Sequence, residues 1–306
     1  MLDRLPRITF VLGKGGVGRS SVAAALGATR AARGERVLVL EWTVAEPIAP
    51  WFGLPPAGVV PVEIAENLFV ANYELRWALE AYFVDHLKLR RFHRHVVDGP
   101  PMRRLIEAAP GIAELLFLGQ LWWLSTLAAE EADLRFDRIV VDAPATGHGA
   151  SILKLPSTLA SLGATGLLAL EAGRVHEMMA DPAWTGAVVV TLPEELAVEE
   201  TLALVPQVTH DLGRPPLAVI VNRSVADLGA QDPGPDLEAL AARLSPPARD
   251  ALATILVDLR ARARREQELR AKLGGPILAL EDLLVGGPIT PREVVRTLAA
   301  HLRGAP

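Results

Sequence analysis

Near the start of this 306-residue chain, four glycines, two serines and two cations share nine positions, Gly13 to Ser21, reading GKGGVGRSS. Gly13, Gly15, Gly16 and Gly18 let a backbone turn its N–H groups toward one point without Cβ clashes. Val17 interrupts them, and Lys14 and Arg19 add positive charge. Ser20 and Ser21 supply hydroxyls, the first where such a group ligates Mg²⁺. Residues 8–12 ahead are a β-branched apolar run, expected as a buried strand. Residues 22–33 behind, rich in alanine and arginine, are expected as a helix. A strand, a glycine turn and a helix N-terminus in that order cradle a phosphate chain. The spacing is that of a P-loop, G-x-x-x-x-G-K-[ST], with one departure. Arg19 stands in the lysine position, a planar fork in place of a compact charge. The bland alternative is a turn that needs glycine for its shape alone.

Acids at the ends of apolar runs are the second source of chemistry. Residues 136–141 (FDRIVV) are expected as a strand, and Asp142 ends it, opening the stretch DAPATGH. A carboxylate there reaches a Mg²⁺ ion across a P-loop, the Walker B arrangement, and the Pro-Thr-Gly loop after it is placed to sense a γ-phosphate. Residues 36–40 (RVLVL) are expected as another strand, ended by Glu41, with Glu46 close behind. Strand tips carry the ligand contacts of nucleotide-binding α/β sheets. Glu41 and Glu46 are therefore candidates for catalysis, holding Mg²⁺ through water or orienting an attacking water; the alternative is a pair of solvated loop acids. Asn222 and Arg223 end the apolar run 217–221, where an amide reads an adenine edge or simply closes a turn. His93 and His95, two apart among arginines, suit solvated side chains better than a metal pair.

The elements that must position these residues alternate. Further strands are expected at 67–73, 187–192 and 276–280. Helices are expected at 75–95, 112–129, 152–176 with a break near Gly163, 193–205, 236–243 and 246–273. A last helix opens at Thr290-Pro291-Arg292-Glu293 as a capping box with proline in its first turn. Pro47 to Gly58 is expected as a loop packed down by Trp51 and Phe52. Strands alternating with helices give an α/β fold with a mainly parallel central sheet and helices on both faces. We expect one domain over residues 1–306, with a mainly helical insertion at about 75–131. The apolar run 112–129 has no broad polar face, so it belongs in the core or against a partner, the latter kept open by Trp122 and Trp123.

Composition narrows the function classes. Half of the residues are hydrophobic, enough for a sizeable core, and the net charge of −5 argues against bulk binding to nucleic acid or anionic lipid. With no cysteine there is neither a disulfide nor a thiolate metal site. No stretch of about twenty uncharged apolar residues is present, so no transmembrane segment is expected. The opening MLDRLPRITF lacks the apolar core of a signal peptide, and a cytoplasmic location is expected.

Taken together, the motifs resemble the ArsA/Get3 family, the deviant Walker A branch of P-loop ATPases that also contains the MinD and ParA proteins. KGGVGRS is similar to the family's K-G-G-x-G-K-[ST] loop. DAPATGH is similar to its D-x-x-P-T-G-H switch, with the proline one place early. Pro110, Gly111, Ile112 and Glu114 resemble a second family element, and Pro193, Glu194, Leu196, Glu200 and Thr201 a third. Three departures stand out: Arg19, the absence of the family's D-P-A switch I after Leu40, and the absence of its metal-binding cysteines. A branch described as anion-transporting ATPases carries a Glu-rich segment at the switch I position, and this chain looks most like it.

The resemblance implies a three-layer P-loop fold, ATP and Mg²⁺ as ligands, and a dimer, either of identical chains or with a paralogue. It implies that Lys14 reaches the partner's nucleotide and that Asn222 contacts adenine. The expected function is a dimeric, ATP-hydrolysing switch that couples nucleotide state to a client, the helical insertion being a candidate docking surface. Two alternatives remain: a catalytically impaired half of a heterodimer, and a ParA/MinD-like positioning ATPase.

Overall fold

The computed structural model describes residues 5–81, 112–126, 135–144, 152–154, 166–225, 239, 241–281, 283 and 289–304. Its strands are β1 (Ile8–Gly13), β2 (Val37–Glu41), β3 (Val62–Ala65), β4 (Leu68–Asn72), β5 (Arg138–Asp142), β6 (Thr185–Thr191), β7 (Ala218–Ser224) and β8 (Ile277–Glu281). They form one sheet in the order β3-β4-β2-β5-β1-β6-β7-β8. Every neighbouring pair is parallel except β3 with β4. The seven parallel strands therefore deliver their carboxyl ends to one edge, where an open α/β sheet binds its ligand.

Burial on both faces explains the near-continuous apolar runs. Ile8, Phe10 and Leu12 of β1, Leu38 and Leu40 of β2, and Ile139 and Val141 of β5 enter one core cluster. The alternate residues Val11, Val37, Val39 and Val140 enter the other. On the second face lie α1 (Arg19–Ala31) and α8 (Pro291–Gly304). Gly27 lets α1 press onto the sheet: a Cβ there would lie 2.8 Å from Val39 and 2.9 Å from Leu68. The first face carries α4 (Ile112–Leu124), α5 (Gly166–Ala180) and α6 (Glu195–Leu212). Three further helices are α2 (Ile48–Trp51), α3 (Leu75–Ala81) and α7 (Pro246–Lys272).

The three-layer α/β reading holds. Leu115, Phe117, Leu118, Leu121 and Leu124 of α4 are buried, and Trp122 and Trp123 are half-buried against the same cluster, so this segment belongs to the core. The capping box also forms: the Thr290 N–H and hydroxyl donate to Glu293 at 2.9 and 2.7 Å, and the Glu293 N–H donates back at 3.3 Å. Two expectations need correction. Pro47–Gly58 is not all loop, since α2 lies within it, although Trp51 and Phe52 do pack it down. Strand β3 was not expected at all. It is a half-exposed edge strand with Glu63 pointing outward, joined to β4 through a turn that holds Asn67 at φ 59, and at four residues the alternation Val62-Glu63-Ile64 is too short to mark it. The insertion expected at 75–131 is described only through α3 and residues 112–126. His93, His95, Pro110, Gly111 and the stretch Ala145 to His148 lie outside the described residues.

Candidate phosphate and metal site

Gly13 ends β1 against β6, so close that a Cβ would meet the Val190 carbonyl at 2.3 Å. Only glycine fits there. Beyond it, Lys14 is half-exposed and Gly15 and Gly16 are exposed, leaving the crown of the loop open to a ligand. Val17, 2% exposed, plugs the loop into the core. Gly18 then adopts φ 90 and caps α1, whose first turn contains no acid to oppose an anion. Arg19 and Ser20 are the first two helical residues, with Ser21 half-buried behind them.

The hydroxyl and the strand-end carboxylate meet. Ser20 Oγ donates to Asp142 Oδ2 at 2.5 Å. Asp142 is 4% exposed and its second oxygen, Oδ1, has no hydrogen-bond partner among the described residues. A buried carboxylate oxygen without a donor is a costly arrangement unless something positive is to arrive there. Burial raises the Asp142 pKa, against the lowering effects of the Ser20 hydroxyl and the Arg19 charge. A hydroxyl and a carboxylate are hard oxygen donors of the kind Mg²⁺ takes beside phosphate oxygens. Ser20 and Asp142 thus fit that ion. Among the described residues no cluster of three or more His, Asp or Glu offers an all-protein metal cage. The Arg19 guanidinium donates to the Ala143 carbonyl, tying the loop to the residue after Asp142. Burial lowers the Arg19 pKa and the nearby Asp142 opposes that shift.

Glu41 stands beside Asp142, the two being register partners on β2 and β5. Glu41 is fully buried. Its Oε1 accepts from the Ile48 N–H at 3.3 Å, and Oε2 has no partner among the described residues. Burial pushes its pKa up to about 8, against the Ile48 N–H, with Asp142 and Glu46 adding to the rise. It does not line the cleft. Glu46 does, at φ 41, with its Oε2 accepting from the Gly58 N–H at 2.7 Å. The cleft holds about 630 Å³, and Arg19, Ser20, Asp142, Trp42, Glu46 and Tyr73 are among the residues that line it.

The remaining candidates are tied elsewhere. Lys14 Nζ lies 2.9 Å from Glu200 Oε1 on α6 of its own chain. Asn222 Nδ2 donates to the Val17 carbonyl at 2.9 Å, and the Arg223 N–H donates to Asn222 Oδ1 at 3.0 Å. Arg223, at φ 53, accepts from Arg262 through its carbonyl at 2.7 Å. Sequence reasoning missed the aromatic lining of the cleft. Trp42 and Tyr73 line it and meet each other and Phe117 edge-on or tilted, with centroids 4.5–4.8 Å apart, which joins the cleft to α4. Aromatic residues scattered over three elements leave no spacing signal.

The sequence pattern of the anion-transporting ATPase family matches residues 6–165. The chain is similar to ATPase BagA of Mycobacterium tuberculosis, with 33% identity over 235 residues, 74% of this chain and 68% of that protein. It is also similar to the arsenical pump-driving ATPase of Acidiphilium multivorum, with 27% identity over 177 residues, 53% of this chain and 27% of that protein.

Proposed function

The chain belongs to the anion-transporting ATPase family, and from that premise we propose that it is a Mg²⁺–ATP-driven switch working as a pair of chains. The observation that carries this reading is the Ser20–Asp142 contact with its spare, buried Oδ1 beside an open glycine turn. The backbone of residues 13–20 holds the phosphate chain, and α1 aims its N-terminus at it. Ser20 and Asp142 would hold Mg²⁺, which would supply charge neutralisation at the transferring phosphoryl group. Glu46, facing the cleft, is the acid placed to order the attacking water. Glu41 stands beside Asp142 as a buried acid on which the Asp142 and Glu46 charges act. Lys14 leaves Glu200 to reach the phosphates held by the second chain, so the ion pair with Glu200 opposes that step. Among the described residues no helix is long and apolar enough to cross a membrane.

Calorimetry with Mg²⁺–ATP tests the reading. The wild type is expected to bind, and Asp142→Ala to lose the Mg²⁺-dependent part of the affinity. No heat from the wild type would end it. Steady-state turnover is expected to disappear in Lys14→Ala while ATP binding persists.

One observation favours the second reading, an impaired half of a heterodimer. Arg19 is engaged with the Ala143 carbonyl, a bond its long fork reaches. On that reading the isolated chain binds ATP without turnover, a paralogue restores turnover, and Arg19→Lys raises it. Robust turnover by the isolated wild type rejects this version.

A further inference from the structure

Asn72 ends β4, two strands away from Asp142. Register pairs Asn72 with Glu41, and Glu41 with Asp142, so the three stand in one row along the carboxyl edge of the sheet. Asn72 is 7% exposed and lines the cleft. Its Oδ1 accepts from the Thr43 N–H at 3.3 Å. That donor fixes which way the amide faces, because only the oxygen can accept there. The other end, Nδ2, meets no acceptor among the described residues. A buried amide that leaves both of its hydrogens unused is uncommon, and it marks a place where an acceptor is to arrive.

Glu46 is close to it. The Asn72 N–H donates to the Gly58 carbonyl at 2.6 Å, and the Gly58 N–H donates to Glu46 Oε2 at 2.7 Å. A single residue, Gly58, thus stands between the amide and the acid. Asn72 holds both ends of residues 43–58, Thr43 through its side chain and Gly58 through its backbone. Glu46 keeps Oε1, an acceptor, for the cleft it lines, and Asn72 offers Nδ2, a donor. A cation would satisfy the carboxylate and not the amide. A phosphate oxygen would satisfy the amide and be repelled by the carboxylate. Water, which both accepts and donates, satisfies the two together.

We propose that Asn72 donates to the water that attacks the nucleotide, holding it jointly with Glu46. The inference rests on the nucleotide-binding reading above and adds a residue to it. The carboxylate accepts one water hydrogen and the amide occupies one lone pair, which leaves the other lone pair for phosphorus. That pair forms the new bond to the γ-phosphorus. The bond from this phosphorus to the bridging oxygen breaks, and ADP leaves with its electrons. The proton taken by Glu46 passes on to the released phosphate. Neither group grips the phosphates, so the amide acts on turnover and not on affinity.

Steady-state turnover of ATP, set beside the Kd of a non-hydrolysable ATP analogue with Mg²⁺, separates this from a purely structural role. Asn72→Ala is expected to lower kcat by about ten- to hundredfold, with Kd for the analogue within about twofold of wild type. Asn72→Asp keeps the acceptor for the Thr43 N–H and removes the donor. It is expected to lose at least as much kcat, and it carries the test if the alanine variant does not fold. Combining Asn72→Ala with Glu46→Gln is expected to fall little below the slower single variant, because both act on one water. Wild-type kcat in either Asn72 variant overturns the proposal, as do fully additive losses or a Kd that rises as far as kcat falls. A wild type that binds the analogue and hydrolyses no ATP also overturns it, since no water is then being positioned. A wild type that does not bind the analogue overturns the nucleotide-binding reading itself.

Discussion

Glu41 and Glu266 are both buried to 0% exposure, and their surroundings are opposite. Glu266, where α7 meets the end of β7, has both oxygens engaged: the Ser224 hydroxyl donates to one at 2.7 Å and Arg270 to the other at 2.8 Å. Glu41, at the end of β2, has one long bond from the Ile48 N–H and an oxygen with no partner among the described residues. The charged groups that act on it most are two further acids, Asp142 and Glu46. A carboxylate that only holds elements together is surrounded by donors, as Glu266 is. One left short of donors costs stability in the resting protein. The contrast separates the part of the molecule that fastens β7 to α7 from the part arranged to receive positive charge.

The largest expected effect lies on the receiving side. Asp142→Asn is expected to lower ATP turnover by about 100-fold or more, because the Mg²⁺-facing charge disappears. The urea midpoint is expected to hold or rise, since the buried acid is already short of partners. A variant that unfolds more easily yet keeps its turnover would place Asp142 with Glu266.

Next in size is a pH effect at Glu41. Its pKa is about 8 in the folded protein and 4.5 as an ordinary glutamate. The folded state therefore favours the protonated form. Stability is complete below about pH 4.5 and is lost as the pH rises through 8, at up to roughly 1.4 kcal/mol per unit in between. Glu41→Gln removes this dependence. Measured by urea unfolding without nucleotide or Mg²⁺, its stability relative to wild type is expected to grow from pH 5 to pH 8. Asp142 shifts in the same direction but is present in both proteins, so it largely cancels. Parallel pH profiles would show that Glu41 is as well satisfied as Glu266.

Glu266→Ala gives the third effect, of opposite kind. It strips a donor-rich site of its acceptor and is expected to cost about 2–3 kcal/mol in urea unfolding. The loss is held down because the Arg270 side chain is 40% exposed and finds water. The pH dependence contributed by Glu41 is expected to survive unchanged. If Glu266→Ala instead abolished that dependence, the two regions would be one coupled unit.

The same division decided what was legible beforehand. The receiving side is written in local spacing: glycines between Gly13 and Gly18, a hydroxyl two residues later, and Glu41, Asp142 and Asn222 each ending an apolar run. Chain geometry then obliges those ends to meet at one edge of a parallel sheet. The fastenings are not written that way. Asn222 meets Val17 across 205 positions, and Ser224 meets Glu266 across 42, inside a helix that reads as solvated arginine and glutamate. Lys14 and Glu200 were both singled out, yet nothing in the sequence joins them, since their meeting depends on where α6 packs against β6, the strand beside β1. Strand β3 escaped for a different reason. As an edge strand it buries little, and four residues with Glu63 among them, followed by Glu66 in the turn, do not stand out from a loop.

The smallest effect is expected one residue from Glu266. Arg265 pairs with Glu195 at 2.7 Å and links α7 to α6, but their side chains are 31% and 69% exposed. Water already solvates both charges, so the pair gains little Coulomb energy and loses side-chain freedom. Arg265→Ala is expected to change unfolding free energy by no more than about 0.5 kcal/mol, and by less in high salt. Set beside Glu266→Ala on the same helix turn, it holds position and helix context nearly constant and varies burial. If Arg265→Ala matched Glu266→Ala, fastening of α7 would come from charge pairing in general. The expected gap of roughly fourfold or more assigns it to the one acid that is removed from water and fully engaged.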